Sequence, residues 1–183
     1  MDLMAEAQLL HRAGAWQGDA ADTVHLDYEG RFLRRKRLQG GQGLAFLANL
    51  PETLSINEGD AFELLDGRLI EVRADSEPLL EVRGNLTRLA WHIGNRHTPC
   101  QIGADRLLIR QDHVLEAMLR QLGATVAPVF APFIPEGGAY GHGRTMGHDH
   151  GPASGPGGLH VHFHAGHGAE DGGPAFPTVS RER

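Results

Sequence analysis

Hydrophobic positions keep three different rhythms along this chain. To about Ala74 they come in short runs broken by turn residues. Ala61-Phe62-Glu63-Leu64-Leu65 and Arg68-Leu69-Ile70-Glu71-Val72 flank Asp66-Gly67. A two-residue Asp-Gly between such runs predicts a β-hairpin with a type I′ turn, which needs positive φ at both central positions. Gly40, Gly41 and Gly43 mark a second turn, and Asn57-Glu58-Gly59-Asp60 a third. Short strands separated in this way predict a small β-domain over residues 1–75.

From about residue 76 the rhythm alternates between strand and helix. Leu79-Leu80-Glu81-Val82 predicts a strand. Leu86, Leu89, Ala90 and Ile93 then recur at helical spacing, and Gly94 suits the position after the last turn. Arg106-Leu107-Leu108-Ile109-Arg110 predicts another strand. Asp112 is the expected N-cap of a second helix with the stripe Val114, Leu115, Met118, Leu119 and Leu122, ended by Gly123. Thr125 to Phe130 predicts an edge strand, because Pro128 has no N–H to give to a ladder. Strand, helix, strands, helix, strand is the order of a ferredoxin-like α+β sandwich, here over residues 76–140.

Beyond about Pro135 the periodicity stops, and Gly and Pro dominate. Such a segment cannot bury enough apolar surface to offset its ordering entropy. Residues 141–183 are therefore expected to form a flexible tail, disordered without metal. The fold class expected is α+β: a β-rich domain, a ferredoxin-like domain, then the tail.

That tail holds seven of the chain's 12 His: His142, His148, His150, His160, His162, His164 and His167. Neutral imidazole is the commonest protein ligand for late divalent metals, and His-rich tracts read as metal binding. The alternative is a solubilising linker with incidental His. The formal net charge of −6 argues against nucleic acid as the main partner. A single Cys, Cys100, rules out an internal disulfide framework and a multi-Cys zinc site, and it fits a reducing compartment. Met1-Asp2-Leu3-Met4-Ala5-Glu6 has no secretory pattern, and the apolar stretch from Leu44 to Leu50 is too short to span a bilayer. The expectation is cytoplasmic, with no membrane partner.

In the folded part, His92-Ile93-Gly94-Asn95-Arg96-His97-Thr98-Pro99-Cys100-Gln101 stands out. Gly94 and Asn95 tolerate left-handed backbone and Pro99 stiffens the exit, so His97 is presented just past a helix end. One His is far short of a closed metal site, but a twofold dimer would supply two. The plainer reading is a His that helps form a turn. Cys100 reads either as a further ligand or as a small buried hydrophobe. His92, near the helix end, reads as a cap for its last carbonyls. The basic run Arg31-Phe32-Leu33-Arg34-Arg35-Lys36-Arg37 reads as a solvated strand face or as a docking patch for an acidic partner.

The run His92 to Pro99 closely resembles the signature of the UreE family of urease accessory proteins. Asp112-His113-Val114-Leu115 with Met118-Leu119 resembles its second-helix motif. Phe133-Ile134-Pro135-Glu136-Gly137-Gly138-Ala139-Tyr140 resembles the segment closing its folded region. The resemblance covers residues 77–150 well and extends in pattern over the N-terminal strands. It implies a nickel metallochaperone, a homodimer that delivers Ni2+ to apo-urease with partner accessory proteins, one of them a GTPase. It implies that His97 serves as the interfacial nickel ligand, one from each subunit, and His113 as a further metal-binding His. Gln111 stands where several relatives carry another His.

Such a carrier is not an enzyme, and no His-Glu-x-x-His arrangement for a metal hydrolase is present. Zn2+ or Cu2+ can compete for the same imidazoles, because intrinsic affinity does not favour nickel over copper. The alternative function is storage or buffering of nickel or zinc, with the tail as a sponge.

Overall fold

The computed structural model describes residues 5–137, so the tail expected over 141–183 lies outside the described residues. Strands β1 (Ala5–His11), β2 (Asp22–Leu26), β3 (Phe32–Gln39), β4 (Ala45–Ser55), β5 (Ala61–Leu64) and β6 (Leu69–Ala74) form one mixed sheet. Its order is β2-β6-β5-β1-β4-β3, with β1 parallel to β4 and β2 parallel to β6. Alternating inward side chains supply the core beneath it. Phe46 and Phe62 meet edge to face at 5.5 Å, and Leu50, Ile56, Leu64, Ile70 and Val72 close around them.

The Asp66-Gly67 hairpin forms, but not with a two-residue type I′ turn. Only Gly67 has positive φ (85°), and Leu64 N–H bonds to Arg68 O across a three-residue loop, Leu65-Asp66-Gly67. Gly67 alone takes the left-handed place that ends such a loop, and Asp66 avoids the cost of positive φ. Its carboxylate instead accepts from Arg68 N–H and from the Arg68 guanidinium.

The glycine turn between β3 and β4 reaches the far edge of the sheet. Gly41 N–H donates to Thr23 O at 2.8 Å. The buried Asp22 carboxylate accepts from the N–H groups of Thr23, Gln42 and Leu44 at 2.7, 3.0 and 3.3 Å. A Cβ on Gly40 would lie 2.1 Å from Asp22 Oδ2, so only glycine admits this approach. Thus the two sheet edges meet at one end and the sheet curls around its core.

The second sheet is built from β7 (Ser76–Arg83), β8 (Gln101–Ile102), β9 (Leu107–Arg110) and β10 (Thr125–Pro132). All its pairs are antiparallel, in the order β10-β7-β9-β8. Helix α1 (Leu86–Gly94) joins β7 to β8, and α2 (His113–Gln121) joins β9 to β10. This is the expected βαββαβ order. β10 is an edge strand, as Pro128 requires. Leu80, Val82, Leu107 and Ile109 pack against Leu89 and Ile93 of α1 and Leu115 and Leu119 of α2. Helices together with two sheets make the described fold α+β.

A third cluster joins the sheets. Tyr28 and Phe133 meet edge to face at 5.3 Å beside Leu79 and Leu108. Arg31, first residue of the basic run, is buried here: its guanidinium donates to Phe133 O and lies 5.8 Å from the Tyr28 ring centroid. Arg31 is thus internal, while Arg34, Arg35, Lys36 and Arg37 are solvated. Tyr28 N–H donates to Glu77 Oε1 at 2.7 Å, and Arg110 pairs with Glu29.

Burial alone would raise the Asp22 pKa, but the N–H groups of Gln42, Thr23, Leu44 and Gly41 outweigh it and hold the carboxyl below its ordinary value. Its stabilisation is therefore present above the unfolded pKa of about 3.9 and is lost as pH falls through the folded value. Asp22→Ala should destabilise the protein at pH 7 by ~2 kcal/mol, because it orphans several buried donors. The deficit should shrink in strong acid. Urea denaturation of both proteins across this range reads the difference, and a pH-independent deficit would contradict the account.

Candidate metal centre

The sequence from Asn85 to Gln101 builds the turn that carries His97. Asn85 caps α1, its side chain accepting from Arg88 N–H at 3.2 Å. Leu89 and Ile93, four residues apart, face the sheet and are buried. Burying Ile93 keeps the backbone helical past it, so Gly94 stays inside the helix and Asn95 is its C-cap. The expectation that Gly94 follows the last turn is corrected: the left-handed residue is His97, with φ of 55°.

The hydrogen bonds explain the shift. His97 N–H donates to Gly94 O at 2.9 Å and Thr98 N–H to Ile93 O at 3.4 Å. This paired closure is the Schellman pattern, whose left-handed residue is usually glycine. Helix α2 ends the same way with glycine in place. Gly123 has φ of 88° and donates to Arg120 O, while Ala124 N–H donates to Leu119 O at 3.0 Å. His97 is the only non-glycine residue with positive φ among the described residues. A left-handed L-residue costs about 1–2 kcal/mol relative to ordinary backbone.

His97 is exposed. After it the chain enters β8, and the segment following β10 lies alongside. Ile134 N–H donates to Gln101 Oε1 at 2.8 Å, and Glu136 N–H to Cys100 O at 2.9 Å. These contacts make the exit of the His97 turn a three-way junction of α1, β8 and the chain after β10. Sequence reasoning missed Gln101 and Glu136 here, because their pairing joins points far apart in the chain. No local pattern signals it.

Cys100 is partly buried against the helix-sheet core. Burial, helped by the Glu136 charge, pushes its pKa up to about 11. Metal ligation needs the thiolate, so a metal at Cys100 would have to displace a firmly held proton. His92 lies in the last turn of α1, its ring edge to face with Trp91 at 4.9 Å. His113 is the first residue of α2, exposed, next to the Asp112 cap that accepts from Val114 and Leu115 N–H at 2.8 and 2.9 Å. His142, His148, His150, His160, His162, His164 and His167 lie outside the described residues. Among the described residues, no three His, Cys, Asp or Glu side chains converge on one point. No described helix is long and apolar enough to cross a membrane.

Comparison with known proteins supplies the family. The family model described as the UreE urease accessory protein, N-terminal domain, matches residues 7–75, and that of the C-terminal domain matches residues 68–169. The chain belongs to the UreE family. Its relatives named urease accessory protein UreE include one from Rhodobacter capsulatus, 62% identical over 88% of this chain and 99% of the relative. Another, from Cereibacter sphaeroides, is 62% identical over 85% of each chain. A third, from Ruegeria pomeroyi, is 61% identical over 82% of this chain and all of the relative. UreE is a family of accessory chaperones, so the chain is not an enzyme.

If the His97 backbone is held left-handed against its own preference, glycine should suit the position better. His97→Gly should leave metal-free protein at least as stable as the parent, by up to about 1 kcal/mol. Thermal unfolding in a chelator reads this, and a clear loss of stability would contradict it.

Proposed function

We propose that this chain is a nickel metallochaperone that binds Ni2+ and delivers it to apo-urease while the urease active site is assembled. It would act as a cytoplasmic homodimer with partner accessory proteins, including a GTPase. In this reading residues 1–75 and 76–140 are its folded domains, the second ferredoxin-like, and 141–183 is a flexible tail.

The observation that carries the reading is His97 itself, in a chain that belongs to UreE. It is an exposed imidazole on a turn whose backbone is tied at two successive N–H groups, in a conformation that glycine would adopt more easily. One such His per chain is a poor site. A second copy about a twofold axis doubles it, because a symmetric interface brings the same residue from both subunits together. Exposed apolar side chains on both helices, Trp91 on α1 and Val114 on α2, support an interface on this side of the fold.

A site with two imidazoles leaves coordination positions open, so an acceptor can add its ligands before the carrier lets go. His113, and the tail residues His142, His148, His150, His160, His162, His164 and His167, would hold further ions as an auxiliary store. Zn2+ and Cu2+ would compete, and selectivity would rest on geometry, availability and the acceptor.

His97→Ala should abolish the tightest nickel site and most urease activation, since one substitution removes a ligand from both subunits. Calorimetry with Ni2+ and an activation assay with apo-urease test this; unchanged tight binding would refute it. Wild-type affinity should fall in acid, because imidazole must be neutral to bind the metal. Truncation after Tyr140 should lower the number of ions bound per dimer without dissolving the dimer, as native mass spectrometry reads. Slow release that ignores the accessory partners would instead indicate a storage protein.

A further inference from the structure

We propose that β3 is a docking edge for an acidic, extended segment of a partner protein, which adds to the first sheet as a further strand beside Arg34, Arg35, Lys36 and Arg37. This surface is separate from the His97 turn and does not depend on the metal reading.

Several observations converge on it. Among the described residues, β3 is the last strand of its sheet and pairs only with β4. The two sheet edges meet at the Gly40–Leu44 turn, beyond the end of β3. Along the four cations the strand therefore has, among the described residues, a ladder partner on one side only. The register places Arg35 opposite Asn49 and Arg37 opposite Leu47, while Lys36 and Leu38 stand opposite the buried Ala48 and Phe46. Side chains alternate across a sheet, so Arg35 and Arg37 lie on the solvent face and Lys36 lies at the rim of the core face.

Among the described residues these charges form no ion pair. Arg68, Arg73, Arg83 and Arg110 each have a carboxylate within 4 Å, but none of the four β3 cations has one among the described residues. Glu6, whose carboxyl feels Arg35, is already bonded to Asn49 and Gln8. Four adjacent cations on a chain of net charge −6 form a local field opposite to the whole. Cations on an edge strand repel other strands of like charge and so discourage indiscriminate pairing. The same field selects a strand that brings carboxylates. Ladder bonds then supply affinity and the alternate cations supply specificity. Backbone pairing is what makes an extended peptide the occupant rather than nucleic acid, which has no strand to add.

Fluorescence anisotropy with the full-length protein tests this. The probe is a labelled peptide of alternating Glu and Thr matched in length to β3. It should bind, more weakly as salt rises, and Arg35→Glu with Arg37→Glu should weaken it roughly ten-fold. Arg34→Gln with Lys36→Gln should weaken it less, and this milder pair decides the matter if the charge reversal disturbs folding. A Pro-interrupted peptide of equal charge should bind clearly less well. Four results would overturn the proposal: no binding, equal binding to the variants, equal binding of the Pro-interrupted peptide, or tighter binding of a single-stranded oligonucleotide of the same charge.

Discussion

Both faces of β7 are buried, and the placement of every other part of the second sheet follows from that. Leu80 and Val82 point to the helices, Leu79 points to the Tyr28–Phe133 cluster, and all three are almost fully excluded from solvent. A strand covered on both sides must be central, and β7 is flanked by β9 and β10. Its helix-side residues demand Leu89 and Ile93 from α1, which fixes how α1 lies and where it ends. The other side demands Tyr28 and Phe133, which ties the first sheet and the chain after β10 to the same strand. The His97 turn is thus the far end of a chain of packing that starts at the middle of the sheet.

The two helix ends show what the fold needs at that turn and what it does not. At Gly123 the left-handed position is filled by the residue that adopts it most easily. At His97 the same hydrogen-bond closure is made by a residue that resists it. The backbone alone therefore gives no reason for histidine. The preference for a costlier residue points to the side chain, and an inference from an observed outlier to a functional role runs in the sound direction. The closure also does something for the side chain: with two successive N–H groups bonded, the imidazole departs from a fixed Cα. A ligand on such a base loses little freedom on binding, whereas one on a loose segment loses more.

Much of this architecture was legible along the chain, because it rests on local periodicity. The stripe from Val114 to Leu122, the Asp112 cap, the edge position of Pro128 and the βαββαβ order all depend on neighbours within a few residues. What was not legible depends on distant partners. The parallel pairings of β1 with β4 and β2 with β6 leave no mark on either strand. Arg31 looked like one of five surface cations, yet the Tyr28 ring and the Phe133 carbonyl draw it inside. The His97 conformation failed to show for the same reason. Gly94 is the better left-handed residue in isolation, but burial of Ile93 against β9 and α2 carries the helix beyond it. The candidate metal residues were legible as a motif and not as geometry: His97 and His113 were nameable, but the left-handed backbone of His97 was not.

On the proposed reading, these facts also explain why a carrier would put its first ligand on a helix end and not in the core. A buried imidazole must lose its water to bind a metal, and the metal must lose the rest of its hydration to enter. Both losses are recovered only in a closed site, and a closed site releases slowly. An exposed imidazole on a rigid turn keeps the metal partly hydrated, so ligand exchange with an acceptor proceeds one position at a time. Cys100 shows the contrast within the same stretch of chain. Three residues further on, burial pushes its thiol pKa up to about 11, and the side chain packs against the helix-sheet core. The step from solvent to core between His97 and Cys100 separates what can exchange metal from what holds the turn in place.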